Sequence, residues 1–183
     1  MSKLRCQRAG LVAAAGGLVW LAWVVAAGMV GREHTSVLLG VALSTLAIVV
    51  GQYAVESFYG ARMKRPGTAG AWLGALGGVV FAVGQLVAVT AGGGDAIVGI
   101  GVLALVSGSL LVSVGLVRTR VQPPWLGVLL FAGTLAFLGF NEISPWTALP
   151  YGLAWVALGQ DLYRYDPPDG RFGEATDEYG WLS

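Results

Sequence analysis

The chain has 183 residues, of which 56% are hydrophobic and 11% charged, with a formal net charge of +1. An ordinary soluble domain carries about 25% charged residues, so this composition excludes a water-soluble globule, a disordered chain and a nucleic-acid-binding module. One cysteine and one histidine exclude a disulfide framework, a cysteine-based metal cluster and a histidine-rich metal or haem site, and no cofactor is expected.

Six apolar stretches account for the hydrophobicity: 9–31, 35–53, 67–91, 96–117, 123–140 and 147–162. A hydrocarbon core of about 30 Å takes roughly 20 apolar residues at 1.5 Å rise each. The first five stretches meet that requirement; the sixth is short and contains Pro150. None alternates apolar and polar residues at period two, as a barrel strand must, whereas long continuous runs suit helices that bond their own backbone. The expected fold is all-α, a polytopic bundle of six transmembrane helices arranged as three hairpins over residues 1–163. A short acidic cytoplasmic tail, 164–183, follows.

The first stretch follows Lys3, Arg5 and Arg8. Its apolar run exceeds the 7–15 residues of a signal peptide, so it reads as a retained helix. The second places Gly40, Ser44, Ala47 and Gly51 on one face and ends beside Gln52 and Glu56, one helical turn apart. A basic loop with Arg62, Lys64 and Arg65 leads to the third stretch, where Gly70, Gly74, Gly78 and Ala82 recur every fourth residue and Gln85 interrupts the apolar run. In the fourth, Gly101, Gly108 and Gly115 recur every seventh, and Ser107, Ser109 and Ser113 are expected to bond carbonyls of their own helix. Arg118 and Arg120 precede the fifth stretch; the sixth ends at Gln160 and Asp161, before Arg164 and Arg171. These loops leave only Arg32 on the opposite side, so the positive-inside rule puts both termini in the cytoplasm of a multi-pass cell-membrane protein. Trp20-Leu21-Ala22, Trp72-Leu73-Gly74 and Trp125-Leu126-Gly127 suggest a triplicated hairpin.

Small residues let helices approach closely in lipid. The plainer use of the Gly70, Gly74, Gly78 and Gly101, Gly108, Gly115 faces is to pack the chain's own bundle; the sharper one is contact with another membrane protein or a second copy. Gln85 is expected to tie neighbouring helices, and Glu56 and Asp161 to pair with Arg62, Arg65 or Arg164. Glu33, His34, Asp95 and Glu142 share the outer side, but their spacing fits no metal motif and solvated loop charge explains them. No phosphate-binding loop, dinucleotide fingerprint or activated serine is present. The last apolar residues of the tail, Tyr179, Trp181 and Leu182, are suited to docking on the basic inner face or on a partner.

The hairpin from Trp125 to Tyr165, with Pro150-Tyr151-Gly152-Leu153-Ala154-Trp155 at its centre, resembles the end of small uncharacterised six-helix membrane proteins of halophilic archaea. The three-hairpin layout also resembles the HdeD-type acid-resistance membrane proteins, whose hairpins commonly carry a proline near the outer turn. Here only the third does, at Pro145. Neither resemblance implies a catalytic residue. The expected function is therefore non-catalytic: an accessory or structural subunit in the lipid bilayer, associating with another membrane protein or forming a homo-oligomer. The alternative is a small ion or solute transporter or channel, with Gln52, Glu56, Gln85 and Asp161 as its polar path.

Overall fold

A computed structural model describes residues 3–31, 34–119, 123–140 and 143–164. Its elements are α1 (Lys3–Val30), α2 (Thr35–Ala91), α3 (Asp95–Thr119), α4 (Pro124–Phe137), a 3-10 turn (Pro145–Ala148) and α5 (Leu149–Arg164). There is no strand among the described residues. Four segments are long and apolar enough to cross a membrane: Cys6–Val30, Thr35–Ser57, Pro66–Ala91 and Asp95–Arg118. The acidic tail lies outside the described residues.

Backbone chemistry sets most of the boundaries. Gly31 closes α1 at φ 100°, and Gly92, Gly93 and Gly94 turn the chain between α2 and α3 at φ 68°, 97° and 95°. Side-chain-bearing residues rarely adopt such angles. Asp95 opens α3, where a negative charge suits the helix dipole. Pro124 and Pro150 each sit in the first turn of a helix, where the missing N–H costs nothing. The short sixth stretch is therefore a helix in spite of its proline.

Two boundaries depart from the sequence expectation. The basic segment expected as a loop between the second and third stretches is helical throughout, with Pro66 inside α2. The Tyr53 and Trp72 rings nevertheless lie 6.4 Å apart, whereas 19 residues of straight helix would span about 28 Å. The chain therefore reverses between its two arms, Thr35–Ser57 and Pro66–Ala91. Ala61, Arg62 and Lys64 are good helix formers, so the backbone keeps helical geometry close to the reversal, although Gly60 and Pro66 flank them. The second departure is α4, which ends at Phe137 rather than near 140. Its last turn tightens into 3-10 bonds, Leu138 N to Leu135 O, Gly139 N to Ala136 O and Phe140 N to Phe137 O. α4 has only 14 residues and α5 only 16, so both are shorter than the four long segments.

Glycine sets how the helices pair. A side-chain carbon at Gly70 would stand 2.5 Å from Leu111 Cβ, and one at Gly108 would collide with the Gly74 backbone. Gly77 faces Ala104 and Leu105, and Gly101 faces Phe81. The second arm of α2 and α3 are thus antiparallel, backbone against backbone. α1 meets α5 in the same way: Gly10 lies against Gly159 and Gly17 against Gly152. Gly16 meets Ala47, Gly78 meets Val49, Gly127 meets Ser113 and Val117, and Gly133 meets Pro150. Each helical segment so touches the next, and α5 returns to α1.

Aromatic rings fill the middle. Trp20 is fully buried and packs edge-on against Trp23, Phe137 and Tyr151 at ring separations of 5.0–5.1 Å. The three tryptophan-leucine triplets do not share an environment, because Trp72 and Trp125 are both more than half exposed.

These contacts predict opposite outcomes for two substitutions on α3. Gly108→Ala should cost about 1–3 kcal/mol by overpacking against the α2 backbone. Gly99→Ala meets nothing within 4 Å and should be neutral or stabilising by up to about 1 kcal/mol, because alanine is the better helix former. Thermal unfolding in detergent reads both; equal midpoints would contradict the pairing.

Candidate functional site

The contacts Gly16–Ala47, Gly78–Val49, Gly77–Leu105 and Gly17–Gly152 define one level across the bundle, near the middle of α1. At that level and one turn toward the end carrying Arg8, Arg118 and Arg164 (the basic end), polar side chains converge. Gln52 Nε2, on the first arm of α2, donates to Ser109 Oγ at 3.4 Å. Ser109 Oγ lies 2.9 Å from the Tyr151 hydroxyl. The chain of contacts therefore links α2, α3 and α5. The Gln52–Ser109 link is long for a hydrogen bond and is the weaker of the two. All three side chains are buried, at 0–1% exposure.

The cluster is only partly satisfied. Gln52 Oε1, Thr45 Oγ1 and Trp155 Nε1 are buried without a hydrogen-bond partner. Trp20 Nε1 and Trp23 Nε1, by contrast, donate to Ala148 O at 3.0 Å and Val37 O at 2.9 Å. An unpaired buried polar group costs about 1–3 kcal/mol. Gly74 gives the amide its room, since a side-chain carbon there would stand 2.8 Å from Gln52 Nε2. The cluster offers hydroxyl, phenol and amide groups but no carboxylate or imidazole, so no member is set to take the Ser109 proton.

Ser109 corrects the expectation that its hydroxyl bonds only within its own helix. Ser113 does so, donating to Leu110 O at 2.7 Å; Ser109 bridges two neighbouring segments instead. Gln85 corrects another. Its side chain is half-buried and makes no hydrogen bond among the described residues, so it ties no neighbouring helix. It lines a cavity on the far side of the aromatic layer, about 16 Å along α2 from the level of Gly74 at 1.5 Å per residue. Gln85 and Gln52 are thus not brought together. Glu56 and Asp161 are half-buried at the basic end. Asp161 has a partner, whereas the Arg62 and Arg65 side chains lie outside the described residues.

Of the opposite-end cluster, His34 and Asp95 are exposed, and Glu33 and Glu142 lie outside the described residues. The His34 ring accepts from Ser36 N at 3.4 Å, capping α2. No group of three metal-ligating side chains occurs among the described residues. Gly70, Gly74, Gly78, Gly101 and Gly108 face segments of the same chain, and Gly115 is buried. The cluster could not be read from sequence because it depends on the register between three helices. Its one advance signal was that Gln52 and Ser109 stand in otherwise apolar runs.

Comparisons with protein-family models, with curated proteins and with solved structures find no match to this chain.

Two hydroxyls should behave oppositely on removal. Ser109→Ala strands both Gln52 and Tyr151 and should cost about 1–2 kcal/mol, whereas Ser107→Ala, at an exposed position, should be silent. Thr45→Val removes a hydroxyl that has no partner and should raise stability by up to about 1 kcal/mol. A drop on Thr45→Val would mean that the hydroxyl is bonded. Denaturation midpoints in one detergent compare all three.

Proposed function

We propose that the chain is a non-catalytic integral protein of the cell membrane that acts as an accessory or structural subunit, associating with another membrane protein or with a second copy. In this reading α4 and α5 also lie within the membrane. The six spans then form three hairpins: α1 with the first arm of α2, the second arm with α3, and α4 with α5. Both termini are cytoplasmic by the positive-inside rule.

The observation that carries the reading is the filled interior. Trp20, Phe137 and Tyr151 pack edge-on and face-on between Gln85 and the Gln52 cluster. On the basic side, Leu116, Leu126, Leu158 and Leu162 are buried at 0–2% exposure. An ion or polar solute needs a continuous polar route through lipid, and apolar side chains interrupt this one on both sides of Gln52. The glycine faces are occupied by the chain itself, so a partner meets the large outward side chains, among them Leu76, Ile100 and Leu103.

A second reading, a small-solute transporter, draws on one observation: unpartnered polar atoms at the middle of the bundle. Flux separates the two. Proteoliposomes with wild type should pass ions and small solutes no faster than protein-free vesicles; robust flux abolished by Gln52→Leu would establish the transporter. Cross-linking in native membranes should capture a partner or a second copy, and a monomer without either would contradict the accessory role. For topology, a cysteine at Asp95 should be labelled only from the non-cytoplasmic side. Labelling only from the cytoplasm would invert the orientation.

A further inference from the structure

A cavity of about 140 Å³ lies between α1, both arms of α2, α3 and the end of α4, in the half of the bundle away from the basic end. It exists because α4 stops at Phe137 while the four long segments continue beyond it. Trp23, Val41, Phe81, Val102 and Phe137 give it aliphatic and aromatic walls, and among the described lining residues Gln85 alone carries a polar side chain besides the Trp23 indole. Trp23 cannot serve as a donor there, because its indole N–H is held by Val37 O at 2.9 Å. The Gln85 amide has no side-chain partner among the described residues. Among the described residues the cavity is therefore an apolar, ring-lined chamber with one amide left to pair.

We propose that this cavity is a binding site for a small monocyclic aromatic molecule bearing one hydrogen-bonding substituent, with phenol as the simplest member of the class. Size sets the upper limit: an apolar cavity of about 150 Å³ takes benzene, so one ring fits and two do not. Wall chemistry sets the body. Trp23, Phe81 and Phe137 offer ring faces and edges, which favour an aromatic guest over an aliphatic one of equal volume. The amide sets the substituent. A guest without a polar group would seal Gln85 from water and leave it unpaired, whereas a hydroxyl gives it a donor or an acceptor. The same consideration disfavours the end of a lipid acyl chain, which fits the walls and not the amide. Leu138, just past the end of α4, is the exposed member of the described lining residues.

The test uses the full chain in detergent, with phenol and benzene as probes followed by saturation-transfer nuclear magnetic resonance. Val102→Phe, which fills the chamber, serves as the blank for partition into micelles. Wild type should bind phenol saturably and benzene more weakly. Gln85→Leu should weaken phenol about threefold to tenfold, the effect of one lost neutral hydrogen bond, and leave benzene unchanged or tighter. Val102→Phe should lose both. A second filling variant, Val41→Phe, guards against a folding defect in the first, and each variant's thermal midpoint is read beside its binding. A phenol signal that persists in both folded filling variants would overturn the site. Equal binding of phenol and benzene in wild type would overturn the role of the amide, and protection of the cavity by lipid acyl chains alone would assign it to lipid.

Discussion

Helices surrounded by lipid gain nothing by hiding apolar surface from one another, because the acyl chains are as apolar as the side chains they replace. What remains is contact, and contact grows as backbones approach. At Gly70, Gly74, Gly101 and Gly108 the second arm of α2 and α3 touch through main-chain atoms, and at Gly10, Gly17, Gly152 and Gly159 α1 and α5 do the same. Close approach also fixes register. Once Gly108 rests on Gly74, Ser109 comes within reach of Gln52, and once Gly17 rests on Gly152, Tyr151 enters the core beside Trp20. The polar cluster is thus a consequence of glycine packing.

That dependence explains the uneven polarity of the interior. Gln52, Ser109 and Tyr151 bond across three segments, while Thr45 Oγ1, Gln52 Oε1 and Trp155 Nε1 are left over. Interhelical hydrogen bonds in membrane proteins average about 0.6 kcal/mol, against about 1–3 kcal/mol for each stranded group. The cluster therefore contributes little net stability. Its effect is to distinguish one register from its neighbours, because sliding α3 by a turn would strand Ser109 as well.

Much of the helical architecture was legible in the sequence because long apolar runs admit few other structures. The glycine spacings showed close approach only in part: Gly70, Gly101 and Gly108 lie in the contact between α2 and α3, but Gly74 and Gly78 also turn toward Gln52 and Val49 of the first arm, and Gly77 and Gly84, which meet α3, were not singled out. The segment between the arms of α2 was expected as a loop; the chain does reverse there, but the backbone stays helical because Ala61, Arg62 and Lys64 favour helix. The early end of α4 was misread too, since apolar Leu138 and Phe140 prolong the hydrophobic run after the helix has tightened and stopped. The cavity follows from that shortfall. Gln85 stood out as an amide in an apolar run, but the space beside it depends on where a distant helix ends.

The account rests on an interior closed at the level of Ser109 and open at the level of Gln85. Accessibility to a small membrane-impermeant thiol reagent tests that difference directly, in a Cys6→Ser background with single cysteines at Ser109, Gln85 and exposed Asp95. Asp95→Cys should react fast, Gln85→Cys more slowly from the same side, and Ser109→Cys from neither side until the protein is unfolded. Reaction of Ser109→Cys in the folded protein at a rate comparable to Gln85→Cys would show a water-filled route through the aromatic layer and contradict the closed bundle.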